Sequence, residues 1–196
     1  MTFRSVRSVR LQPDRRPAVG SPGSDLACES AVLTGNPGHL RTFDYTGMYR
    51  YFLTFCTDSR RHAFTKSEAV NLVLSQIERS AGQERFAIPA YCFMPDHLHL
   101  LVEAQAESSD CRRFIARAKQ FSGFHYKRAF GHQLWQRYAY ERALRNDEST
   151  LAVAKYILEN PVRAGLVTRV EDYRFAGSRM FALPDILVAV AFRPSR

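Results

Sequence analysis

Two histidines one residue apart, His97 and His99, sit inside the apolar run "FMPDHLHLLVE" at 93–103. If that run is a strand, side chains two apart share a face, so both imidazoles point one way while Leu98, Leu100 and Val102 point the other. Two neutral ring nitrogens held side by side are the start of a divalent-metal site, which needs at least one further ligand from elsewhere. The plainer reading is a histidine pair on a half-exposed strand edge, and a His-x-His pair alone also fits zinc hydrolases and cupin-like sites. No Asp-His follows closely, which goes against the hydrolase pattern.

A third ligand is available in "AKYILENPVRAGLV" at 154–167. On a helix, Tyr156 and Asn160 lie one turn apart along one edge, beside an apolar arc made by Val153, Ala154 and Ile157. An amide oxygen at Asn160 could complete a metal shell, with the Tyr156 phenol aimed at whatever the metal binds. Each residue also has a bland reading. Asn160 suits a helix C-cap, and Tyr156 suits a boundary tyrosine with its ring packed and its hydroxyl wet.

The elements that must position these groups are legible from pattern. "GMYRYFLTFCT" (47–57) is aromatic and β-branched, as strands are. "TKSEAVNLVLSQIERSAG" (65–82) puts Ala69, Leu72, Val73, Gln76 and Ile77 at helical spacing, with Gly82 as a stop. Strands at 86–94 and 97–104 flank "PD" and make a hairpin. Residues 108–130 form a basic helix with Phe114, Ala118, Phe121 and His125 along one stripe, and "LWQRYAYERAL" (134–144) alternates like a strand. Residues 145–160 open with an Asn/Asp cap and an acidic first turn, and Pro161 ends that helix. The order β-α-β-β-α-β-α predicts an α+β fold: a ferredoxin-like βαββαβ antiparallel sheet with an added C-terminal helix carrying the tyrosine. The apolar segment after Tyr173, including "ILVAVAF", has no assigned element.

Three segments, "PDHLHLLVE", "LWQRYAYERALRND" and "YILENPVRAGLV", in this order and spacing, resemble the REP-associated tyrosine transposases, relatives of the small single-tyrosine HUH transposases of insertion sequences. HUH denotes His-hydrophobic-His, here His97-Leu98-His99, and the resemblance covers roughly residues 45–175. It implies that Tyr156 is the nucleophile and that His97, His99 and Asn160 bind Mg²⁺ or Mn²⁺. The implied reaction is nicking and strand transfer on single-stranded or hairpin DNA, leaving a 5′-phosphotyrosine and a free 3′-hydroxyl, with no need for ATP or external water. A metal would act as a Lewis acid on a phosphate oxygen, and the phenol, mostly protonated when free, would need help to ionise. Insertion-sequence members work as dimers with shared sites and the repeat-associated branch as monomers, so a monomer is expected.

Composition is compatible with that reading. The formal charge is +9 over 196 residues. Residues 108–145 hold nine Lys/Arg (Arg112, Arg113, Arg117, Lys119, Lys127, Arg128, Arg137, Arg142, Arg145) against Asp110 and Glu141, an excess of seven. An excess confined to one stretch is the footprint of a polyanion-binding face, although a solvated helix surface produces it as well. The nucleic-acid contacts expected from it are Arg112, Arg113, Arg117, Lys119, Lys127, Arg128 and Arg137. Tyr126 beside Lys127 and Arg128, and Tyr138 beside Arg137, could stack bases. Tyr138 and Tyr140 equally suit a role covering the sheet.

Residues 1–40, rich in Arg, Ser, Pro and Gly, are expected to be a disordered extension, 41–178 the catalytic domain and 179–196 a tail. No apolar run reaches a membrane span, and the four cysteines (Cys28, Cys56, Cys92, Cys111) form no C-x-x-C pair, so a cytoplasmic protein with reduced thiols is expected. Two rival readings stay open: a catalytically silent sequence-specific nucleic-acid-binding protein, which would bind DNA without forming an adduct, and a zinc-dependent hydrolase indifferent to loss of Tyr156.

Overall fold

Alternation of side chains gives β1 (Arg50–Cys56) two unlike faces: Tyr51, Leu53 and Phe55 are enclosed, while Arg50, Phe52, Thr54 and Cys56 are partly open on the other side. Such a strand can lie between two layers without being uniformly apolar. The structure, a computed structural model, describes residues 44–189. The proposed 1–40 extension, Cys28 and the end of the 179–196 tail lie outside those residues.

β2 (Phe86–Met94) and β3 (His97–Ala104) form an antiparallel hairpin about Pro95 and Asp96, with Met94 opposite His97 and Cys92 opposite His99. β1 runs antiparallel along the other side of β3, setting Thr54 opposite His99 and Cys56 opposite His97. β4 (Tyr140–Ala143) flanks β1, and β5 (Ala176–Gly177) flanks β2, so the order is β4-β1-β3-β2-β5. This is the ferredoxin-like α+β fold expected, plus an edge strand from the unassigned segment. β3 is therefore an interior strand, and the half-exposed strand edge considered for the histidines is not what they occupy.

Helices cover both sides. α1 (Ser67–Glu84) and α2 (Cys111–Phe130) lie on the face of Leu98, Leu100 and Val102, where Val73, Ile77, Phe114 and Ala118 join them in one apolar cluster. α3 (Thr150–Leu158) and α5 (Leu183–Leu187) lie on the histidine face, where Val153, Ala154, Ile157, Leu158 and Ile186 pack on Ala90, Cys92 and Leu101. Leu100 is fully enclosed. Leu100→Ala is expected to lower unfolding free energy by about 2 to 5 kcal/mol, read from the urea midpoint, because the cavity closes only in part.

Several local expectations need correction. α1 passes through Gly82 and stops instead at Arg85, which takes a left-handed conformation (φ 57°) and donates its N–H to Ala81 O. The buried stripe of α2 is Cys111, Phe114, Ala118, Ser122 and Tyr126, so Phe121 and His125 lie beside it. The strand expected over 134–144 starts only at Tyr140, because Leu134 and Trp135 turn into the core, where Trp135 Nε1 donates to Ser122 Oγ at 2.8 Å. α3 opens at Thr150 with Ser149 as its cap, not Asn146 or Asp147. The residues before it are held as a loop: Arg50 donates to Arg145 O, Glu148 O and Thr150 Oγ1, and Arg142 pairs with the buried Glu148 carboxylate at 2.7 Å. α3 ends at Leu158, and the chain turns through Glu159 into α4 (Asn160–Arg163), with Pro161 in its first turn. Among the described residues no helix is long and apolar enough to cross a membrane.

Candidate active site

The imidazoles of His97 and His99 meet edge to face, with ring centroids 4.6 Å apart and Nε2 atoms 3.1 Å apart. Interior placement on β3 leaves them only 6% and 9% exposed. Each Nδ1 has its own partner, which aims the Nε2 atoms at each other: His97 Nδ1 lies 2.6 Å from Asp96 Oδ1, and His99 Nδ1 lies 3.0 Å from Thr54 Oγ1. The other oxygen of Asp96 pairs with Arg60 Nε at 2.8 Å.

Burial holds both imidazoles below the usual histidine range. For His99 the pKa is pushed down to about 3, by burial first and then by the positive charges of His97, Arg163 and Arg60. For His97 burial outweighs the hydrogen bond and charge of Asp96, which pull the other way. At neutral pH both rings are neutral, so the Asp96 contact is a hydrogen bond from Nδ1–H and not an ion pair. A carboxylate only accepts, which puts the His97 proton on Nδ1 and leaves its Nε2 bare. The Thr54 hydroxyl donates or accepts as required. When it donates, His99 Nε2–H can bond to His97 Nε2; when it accepts, two bare nitrogens face one point.

That arrangement fits a divalent cation. Neutral imidazoles with their second nitrogen fixed by a carboxylate or hydroxyl are the usual nitrogen ligands of such ions. Among the described residues no group of three His, Cys, Asp or Glu is arranged to hold a metal. The rest of a shell must come from an amide, water or phosphate. Glu103 shares the histidine face but lies four residues along the strand from His99, about 13 Å at the usual rise.

Tyr156 reaches the histidines through one ring. Phe52 of β1 stacks on His99 at 5.5 Å between centroids and meets Tyr156 edge-on at 6.4 Å. The exposed Tyr140 also meets Phe52 edge-on at 6.4 Å. Asn160 is engaged at the end of α3: its Nδ2 donates to Ile157 O at 3.0 Å, and its Oδ1 accepts from Arg163 Nη2 at 2.9 Å. The helix-cap reading of Asn160 thus describes its contacts, and its oxygen keeps one further lone pair.

The basic residues divide by use. Arg113 and Arg117 pair with the buried Glu84 carboxylate, and Arg112 lies over the Tyr45 ring at 4.3 Å. Lys119 donates to the carbonyls of Gln136, Arg137 and Tyr138. Lys127, Arg128 and Arg137 are exposed, the last over the exposed Tyr138 ring at 5.4 Å. Tyr126 is buried against Phe130, which removes it as a platform for bases. Since α2 packs on the face away from the histidines, most of this charge lies behind the sheet from the pair.

Sequence reading missed Asp96, Thr54, Phe52, Arg60 and Arg163. Asp96 had a local signal, a carboxylate directly before a histidine at the start of a strand. Thr54 and Phe52 depend on strand register, which one sequence does not display.

A chain of Haemophilus influenzae described as a REP-associated tyrosine transposase is 27% identical over 146 residues, covering 68% of this chain and 81% of that one. The fold is similar to a solved REP-associated tyrosine transposase bound to a REP hairpin, with TM-score 0.59 and 23% identity over 71% of this chain and 81% of that chain. The family described as "Transposase IS200 like" matches residues 46–160, a span holding β1 to β4, both histidines, Tyr156 and Asn160. On the match over that span, which is more than half of its length, the chain belongs to the IS200-like transposase family.

Proposed function

We propose that this transposase nicks and rejoins single-stranded or hairpin DNA through a 5′-phosphotyrosine at Tyr156, with a divalent cation held by His97 and His99. One observation carries the reading: two buried, neutral imidazoles present Nε2 atoms 3.1 Å apart, and one aromatic ring separates them from the helix tyrosine. Bound there, Mg²⁺ or Mn²⁺ would supply Lewis acidity to a nonbridging phosphate oxygen. Asn160 would join the shell through the second lone pair of its Oδ1.

In the reaction Tyr156 Oη attacks phosphorus, the P–O3′ bond breaks, and the leaving 3′-oxygen takes up a proton. The phosphoryl group stays on Tyr156 with the downstream strand. Attack by another 3′-hydroxyl reverses these steps and restores a phosphodiester, so no bond energy is lost to water. A hairpin substrate is supported by the similar fold solved with a REP hairpin. Exposed Tyr138 and Tyr140, with Arg137, could hold unpaired flanking bases.

The test is incubation with labelled hairpin oligonucleotides and Mn²⁺, followed by denaturing electrophoresis and peptide mass mapping. The expected outcome is a covalent adduct on the peptide containing Tyr156, absent with chelator. An adduct on another residue, or hairpin binding with no adduct under any divalent ion, would overturn the proposal.

A further inference from the structure

Arg163 lies seven residues after Tyr156 in sequence. On an unbroken helix that separation is about 10.5 Å along the axis. Here α3 ends at Leu158 and the chain restarts at Asn160 as α4, and the Arg163 side chain reaches back to the end of α3. Its guanidinium carbon sits 4.1 Å from the centre of the Tyr156 ring. From there Nη2 donates to Tyr156 O at 2.6 Å and to Asn160 Oδ1 at 2.9 Å. Only one orientation of the Asn160 amide is compatible with this, since its nitrogen faces carbonyls and its oxygen faces a guanidinium.

We propose that Arg163 is a positioning residue that ties the Tyr156 ring and the Asn160 amide into one rigid unit for strand transfer, an inference that rests on the nucleophile assignment above. Closing the end of α3 would need only the carbonyl contact. The stacked plane and the bond to Asn160 add constraints that a cap does not need. A planar fork that stacks and donates in two directions is arginine's geometry, and lysine cannot reproduce it. The Glu159 carboxylate, 3.5 Å from Nη1 and partly exposed, adds little.

The experiment measures single-turnover adduct formation and hairpin affinity for Arg163→Ala, Arg163→Lys and Glu159→Ala, with thermal unfolding as the fold control. Arg163→Ala is expected to slow adduct formation by about 100-fold, the scale of a small misplacement of a reacting group, with hairpin affinity within about twofold. Arg163→Lys should stay slow, Glu159→Ala should match the parent, and millimolar methylguanidinium should restore much of the rate to Arg163→Ala. Rescue is the readout that a purely structural cap would not produce. A parental rate in Arg163→Ala, or in Arg163→Lys should the alanine variant not fold, overturns the inference. So does a loss shared equally by affinity and rate with no rescue. If Tyr156→Phe still forms the adduct, the nucleophile assignment falls first, and that result is separable from any Arg163 outcome.

Discussion

His97→Gln/His99→Gln is expected to abolish measurable adduct formation, a loss of about 1,000-fold or more, while hairpin binding persists. The estimate follows from the several kcal/mol of charge stabilisation a Lewis-acidic ion supplies to a phosphoryl transition state, with each 1.4 kcal/mol worth tenfold. Glutamine keeps a polar side chain on the strand but lacks the paired ring nitrogens. The residues behind the pair should give a graded version of the same defect. Asp96→Ala and Thr54→Val remove the Nδ1 partners and leave both imidazoles, so Mn²⁺ affinity should weaken by about 10- to 100-fold and excess Mn²⁺ should recover activity. Adduct yield on a hairpin and Mn²⁺ titration by electron paramagnetic resonance read the two effects separately. Parental adduct yield in the double variant would sink the metal assignment.

The two core strands were legible to the residue. β2 and β3 have the bounds expected from pattern, because "PD" can only be a turn between two runs this rich in aromatic and β-branched residues. β4 was overextended, since "LWQRYAY" alternates on paper while Trp135 is in fact a core plug bonded to α2. Leu134 and Trp135 are both buried, and a single bridge from Trp135 to Thr57 is all the pairing that stretch makes before Tyr140. The caps erred for a related reason: Asn146 and Asp147 are good cap residues, but Arg50 reaches across from β1 and fixes that loop one turn before the helix can start. A cap propensity near 1 kcal/mol is easily overridden by three hydrogen bonds to a charged donor.

The site divides along the same line between local and long-range information. The histidine pair and the tyrosine could be picked out because their spacing is a property of one strand or one helix. The ring that touches both is Phe52, and its position beside His99 follows from a register between β1 and β3 that only the folded sheet defines. The concentration of positive charge at 108–145 was visible, but not that α2 would turn it away from the histidines. The cations felt at His99 are Arg163 and Arg60, neither in that stretch.

The same burial makes a stability prediction that needs no DNA. In the folded, metal-free protein His99 stays neutral down to about pH 3, whereas in the unfolded chain it titrates near the usual 6.5. Above that value neither state holds the proton and His99 contributes nothing to the pH dependence. Below it the unfolded state takes up a proton that the fold refuses, so stability falls as pH falls, at up to about 1.4 kcal/mol per pH unit. Between pH 6.5 and 5 the loss from His99 is about 2 kcal/mol, and His97, depressed in the same direction, adds to it. Urea unfolding at pH 7 and pH 5 in chelator gives the total, and repeating it with His99→Gln isolates the part due to this ring, since the carboxylates are common to both proteins. His99→Gln should lose about 2 kcal/mol less than its parent over that interval. Equal losses in the two proteins would mean that His99 takes a proton as readily folded as unfolded, and a ring that open to protons would not hold its nitrogen bare for a cation.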